Sequence, residues 1–97
     1  MTSHDPNNNL ELAQILAACY SQWRTAGGTA DTLICYSWLL DTYHDRFACE
    51  FHQSKLANLA RLGLLRRVDT THGGHRCYYR LADQSRVEAV LDRWGLN

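Results

Sequence analysis

The side chains best suited to chemistry crowd into residues 49–81, and their spacing sorts them into two possible sites. One would be a metal site. Cys49 and His52 stand three apart, while His72, His75 and Cys77 cluster further on. A zinc site needs such ligands to converge within ~2.0–2.3 Å of the ion. No CxxC pair occurs among Cys19, Cys35, Cys49 and Cys77, so zinc-ribbon and thioredoxin patterns are absent. Cysteines packed as small hydrophobes and histidines at the surface account for the same residues, and no cofactor or metal is expected. The other site would be an array of hydrogen-bonding groups: Gln53, Ser54, Lys55, Asn58 and Arg61, followed by Arg66, Arg67 and Arg76. Gln and Asn amides suit adenine edges, whereas Arg and Lys suit guanine edges or phosphates.

Charge singles out the same stretch. Ten basic and ten acidic residues cancel over the 97-residue chain, which excludes a polybasic binder. The cancellation is uneven. Residues 1–50 carry two basic groups against six acidic ones, residues 51–80 six against one, and residues 81–97 a balance of −1. A basic block inside a neutral chain points to a phosphate-bearing partner.

Positioning such a block falls to a single domain over residues 9–97, preceded by a disordered lead at 1–8. Asn8 with Glu11 suggests a capped first helix bearing Leu12, Ile15, Leu16, Cys19 and Trp23, stopped by Gly27-Gly28. Thr29 or Asp31 is expected to cap a second helix reaching about His44. Its apolar residues, Leu33 to Leu40 and Tyr43, cover more than one face, so burial on two sides or a subunit contact is implied. A strand over 33–40 is the alternative. A third helix is expected over 48–62, with Leu56, Leu59 and Leu62 inward and Gly63 just past its end. His52 shares that stripe and is expected to pack or flank. Leu64–Thr70 and His75–Leu81 then form a hairpin around Thr71-His72-Gly73-Gly74, with Tyr79 and Leu81 inward and Tyr78 outward. Ser85 and Glu88 cap a last short helix carrying Val87, Val90, Leu91 and Trp94.

Helix, helix, turn, helix, hairpin, helix is the order of a winged helix-turn-helix. The stretch Ser54–Arg67 has the form L-x-x-L-x-x-x-G-L at Leu56, Leu59, Gly63 and Leu64. Arg66 and Arg67 open a hairpin with Gly73-Gly74 at its tip and Tyr78-Tyr79-Arg80-Leu81 in its closing strand. Over these residues the chain resembles the recognition helix and wing of ArsR-type and MarR-type repressors. The resemblance implies a mainly α fold with a small β hairpin: three helices, a two-stranded wing and a short C-terminal helix. It also implies sequence-specific binding of double-stranded DNA by a transcriptional regulator. The cysteine-rich recognition-helix motif of metal-sensing ArsR proteins is absent here.

The helical wheel and the hairpin divide the roles. Ser54, Ala57, Asn58 and Arg61 would face the groove, with Gln53 and Lys55 on the flanks; Arg66, Arg67, Thr71, His72 and Arg76 would lie along the backbone or in the minor groove. A winged-helix module that binds protein alone is the alternative. Catalysis is not expected, since no phosphate-cradling glycine loop or nucleophile elbow occurs. Trp23, Trp38, Tyr43 and Trp94, with the apolar second helix, suggest a homodimer built from the first two helices and the last. The polar start of the chain has no signal-peptide core, and Leu33–Leu40 is too short to span a bilayer. A cytoplasmic setting is expected, nucleoid-associated in a bacterium or archaeon.

Overall fold

The computed structural model of the chain describes residues 5–68 and 78–97. Within them, helix α1 (Leu10–Thr25) is the element around which the others pack. Its buried residues run almost all round the helix: Leu12, Ala13, Ile15, Leu16, Ala17, Ala18, Cys19, Tyr20 and Trp23. The three alanines let neighbouring elements approach closely, while the larger side chains fill the space between them. Asn9, one residue beyond the expected Asn8, is the N-cap; its Oδ1 accepts the Leu12 N–H at 3.2 Å. Gly28 takes a φ of +65° and donates its N–H to the Trp23 carbonyl at 2.8 Å, so the double glycine ends the helix as expected.

A turn follows. Thr32 Oγ1 accepts the Thr29 N–H at 3.0 Å, so the threonines expected near a helix start close a loop instead. Beyond it lies strand β1 (Ile34–Cys35), and only then helix α2 (Tyr36–Phe47). This corrects the expectation of an unbroken second helix from Thr29 or Asp31. The same correction explains the excess of apolar residues. Ile34 and Cys35 are buried in a sheet, which leaves α2 with Leu39 and Tyr43 as its buried residues.

α2 stops at Ala48, which takes the left-handed conformation at φ 55°. Helix α3 (Ser54–Arg61) is shorter than the expected 48–62. The reason is Phe51: it is buried edge-on against Tyr36 and Tyr43, and its carbonyl accepts the Tyr36 hydroxyl at 2.7 Å. That anchor holds the connection as a loop. Strands β2 (Leu65–Val68) and β3 (Tyr78–Leu81) complete an antiparallel sheet in the order β1-β3-β2, so the expected two-stranded element has three strands. Helix α4 (Gln84–Trp94) is capped by Asp83, whose carboxylate accepts the Arg86 N–H, rather than by Ser85.

The fold is therefore mainly helical, four helices with a small three-stranded sheet. One core joins α1, Leu39 and Tyr43 of α2, Leu56 and Leu59 of α3, Leu65, Tyr79, and Val87, Val90 and Leu91 of α4. Asp5–Asn8, within the expected lead, form a turn, and the Trp94 indole N–H donates to the Pro6 carbonyl at 2.7 Å. Among the described residues no helix is long and apolar enough to cross a membrane.

Candidate nucleic-acid interface

Two leucines aim α3. Leu56 and Leu59 are fully buried, and the helical repeat then turns Ser54, Ala57 and Arg61 into solvent. All three are exposed, with Gln53 and Asn58 half-buried at the margin. The outward stripe expected from the wheel is thus assembled on one face. Its small residue, Ala57, leaves that face open to close approach.

The first turn is fixed by a neighbour. Gln53 occupies the N-cap position with helical φ and ψ and makes no side-chain cap. His52 supplies one: its Nδ1 accepts the Ser54 N–H at 3.1 Å and lies 2.9 Å from Ser54 Oγ. An accepting Nδ1 places the proton of the neutral ring on Nε2. His52 is exposed and flanks the helix rather than packing beneath it. At the other end, Gly63 takes a φ of +80°, and the Leu64 N–H closes onto the Leu59 carbonyl at 3.1 Å.

Lys55 leans elsewhere. Its Nζ lies 3.3 Å from Glu11 Oε1 in the first turn of α1. An ion pair this exposed contributes at most ~1 kcal/mol to stability. Its larger effect is to neutralise one cation of the basic block.

The register of the sheet separates the two adjacent arginines. Leu65 pairs with Leu81, Arg66 with Arg80, Arg67 with Tyr79 and Val68 with Tyr78. Side chains alternate along a strand, so Leu65, Arg67 and Tyr79 share one face while Arg66, Arg80 and Tyr78 share the other. Leu65 and Tyr79 join the core with the α3 leucines, which places Arg67 on the α3 side. Arg66 lies on the opposite side, facing Arg80. The structure therefore puts Arg67 on the α3 side of the sheet and Arg66 on the other side. Thr71, His72 and Arg76 lie outside the described residues.

Comparisons with protein-family models, curated proteins and solved structures find no match for this chain.

Two residues absent from the sequence-based set stand with Arg66 on the opposite sheet face, Arg80 and Trp38. Arg80 could have been found by alternation, since it shares a face with Tyr78. Trp38, expected at a subunit contact, is carried over the sheet by the start of α2, where its ring meets Tyr78 at 6.1 Å between centroids.

Elsewhere the chemistry is quiet. Cys19, wholly buried in α1, has its thiol pushed up to about 12 by burial, which makes it inert as a nucleophile. The Tyr20 hydroxyl donates to Glu88 at 2.5 Å, which raises the tyrosine and holds the Glu88 carboxyl below its usual range. A cleft of about 280 Å³ lies beside α1 and α4, lined by Tyr20, Arg24, Arg46 and Leu91 among others. None of its lining residues is Cys, His, Asp or Glu. Among the described residues, no three His, Cys, Asp or Glu side chains group as metal ligands.

Proposed function

We propose that this chain is a winged helix-turn-helix domain that binds double-stranded DNA sequence-specifically and acts as a transcriptional regulator in the cytoplasm. The carrying observation is the α3 stripe of Ser54, Ala57, Asn58 and Arg61, turned outward by the burial of Leu56 and Leu59. An α-helix with its side chains is about 10–12 Å across, a match to the ~12 Å width of the major groove. In this reading Asn58 and Gln53 meet base edges, Arg61 meets a guanine edge or a phosphate, and Arg67 contacts the backbone beside them. The strand order also supports it, since β2 and β3 are the stems of a wing adjoining the helix.

A homodimer belongs to the proposal, because two α3 helices ~34–36 Å apart would read successive major-groove faces of a palindromic site. Of the aromatic residues behind that expectation, Trp23 and Tyr43 are buried in the chain's own core and Trp94 is half-buried. Among the described residues, Leu10 at 47% and Trp38 at 44% are the exposed large apolar side chains.

The protein-interaction reading draws support from two ion pairs. Glu11 neutralises Lys55, and Asp31 lies 3.8 Å from Arg80, so the positive footprint is smaller than the sequence implies. Fluorescence anisotropy against random duplex DNA at low salt separates the two readings. The DNA reading expects binding that weakens steeply with salt, followed by enrichment of a defined sequence from a random pool. No duplex binding at low salt would overturn it.

A further inference from the structure

The sheet face turned away from α3 has its own chemistry. Arg66 and Arg80 stand directly opposite each other on β2 and β3. Directly opposed side chains have Cβ atoms about 5 Å apart, and like charges there destabilise a sheet unless something stands between them. The Arg80 Nε is buried and has no hydrogen-bond partner among the described residues. The Arg80 tip reaches Asp31, but at 3.8 Å, and the Asp31 side chain is 90% exposed. Two positions along β3 on the same face, Tyr78 meets the exposed indole of Trp38 edge-on. Two residues of strand span about 7 Å, close to the distance between a base and the phosphate of its own or the adjoining nucleotide.

We infer that this face is a second nucleic-acid site, which takes a single-stranded segment by stacking a base on Trp38 and seating a phosphate between Arg66 and Arg80. A phosphate there would relieve the opposed guanidinium charges and bring an anionic acceptor to Arg80. Guanidinium forks match phosphate oxygens in geometry as well as charge. The indole offers its π-face to a base of any identity, so recognition is tolerant of sequence. A paired base cannot reach that face without leaving its stack, which favours a single strand over a duplex. This site shares only Arg66 with the proposed duplex surface and does not depend on that reading.

The test uses the full chain with a fluorescein-labelled oligothymidylate of about 12 nucleotides, which is too featureless to pair with itself. A random duplex is titrated in parallel. The oligothymidylate binds at low salt, and Trp38→Ala weakens it about tenfold or more while Trp38→Phe, which keeps a stacking ring, retains most of the affinity. Arg80→Ala also weakens it and flattens the salt dependence by about 0.7 in slope, the signature of one lost phosphate contact on a single strand. Neither Trp38→Ala nor Arg80→Ala changes duplex affinity more than twofold, whereas Asn58→Ala alters duplex selectivity and leaves oligothymidylate binding intact. Circular dichroism confirms that each variant is folded. No oligothymidylate binding at low salt, or affinity indifferent to both Trp38→Ala and Arg80→Ala, overturns the inference. So does light scattering that shows a dimer dissociated by Trp38→Ala, because the face would then be covered by a second copy of the chain. Failure of the duplex arm alone overturns the reading in the previous section and leaves this one standing.

Discussion

α1 and α3 are both regular helices, yet they stand at opposite ends of a scale. α1 is enclosed by α2, α4, α3 and the sheet, so most of its side chains are committed to packing. α3 buries two leucines, packs Ala60 partly beside them and leaves Ser54, Ala57 and Arg61 to solvent or to a partner. The contrast assigns their tasks. A helix enclosed on nearly every side fixes where its neighbours stand. A helix held by one narrow stripe can vary its outer residues without disturbing the fold. The chemistry follows the second kind of helix, and the stability follows the first.

Damage should be greatest in α1. Leu16→Ala should destabilise the protein by ~2–5 kcal/mol, because the side chain is fully buried and its space cannot close. Urea denaturation measures it; a loss below ~1 kcal/mol would mean α1 is far less constrained than its burial implies.

Asn58→Ala probes the opposite pole. It should change stability by no more than ~0.5 kcal/mol, the usual limit at a surface position. Its effect belongs in DNA selectivity, at ~1–3 kcal/mol per lost base contact, read by competition between selected and random duplexes. A large stability loss with unchanged selectivity would reverse the roles given to the two helices.

A smaller effect is expected at the start of α3. Removing the His52 cap by His52→Ala should cost ~0.5–1 kcal/mol, since one orphan N–H loses its acceptor to water. His52→Asn, which retains a capping acceptor, should recover most of that in the same melt.

The smallest effect is a pH dependence at the α1–α4 contact. Glu88 has a lowered pKa, chiefly through the hydrogen bond it accepts from Tyr20. Its stabilising contribution is present above the ordinary carboxylate value of 4.5 and fades as pH falls through the lowered one. Tyr20 is raised above 10.0, so its share is intact below that value and disappears in stronger alkali. The Tm difference between wild type and Glu88→Ala should hold level through neutral pH and shrink in acid. A difference that grows in acid would overturn the assignment.

Much of this arrangement was legible in the residues. The Leu56–Leu59 spacing gave the inward side of α3, Gly63 marked its end, and the double glycine marked the end of α1. These signals are local, since a helical stripe or a positive φ is decided within a turn or two of chain. β1 was not legible in the same way. Two residues make no strand alone; Ile34 and Cys35 extend because β3, remote in sequence, offers them an edge. The caps were misplaced for a related reason. Asn7, Asn8 and Asn9 are chemically equal, and the structure makes Asn9 the one that caps α1. At the candidate site the stripe on α3 was visible, whereas the seat of Trp38 on the opposite sheet face was not, because the tertiary fold carries it to Tyr78.

The opposed directions of Arg66 and Arg67 have an evolutionary and an engineering consequence. In a strand, one residue of slippage exchanges the two faces, so neighbouring arginines of identical type are separate addresses. Deleting one residue within β2 while keeping its charge would leave composition, isoelectric point and hydropathy almost untouched. It would nonetheless move a guanidinium from the side of α3 to the side of Trp38, rewiring which surface attracts an anion. An Arg-Arg pair aligned one position out of step between two such chains would therefore look preserved while its function had changed sides.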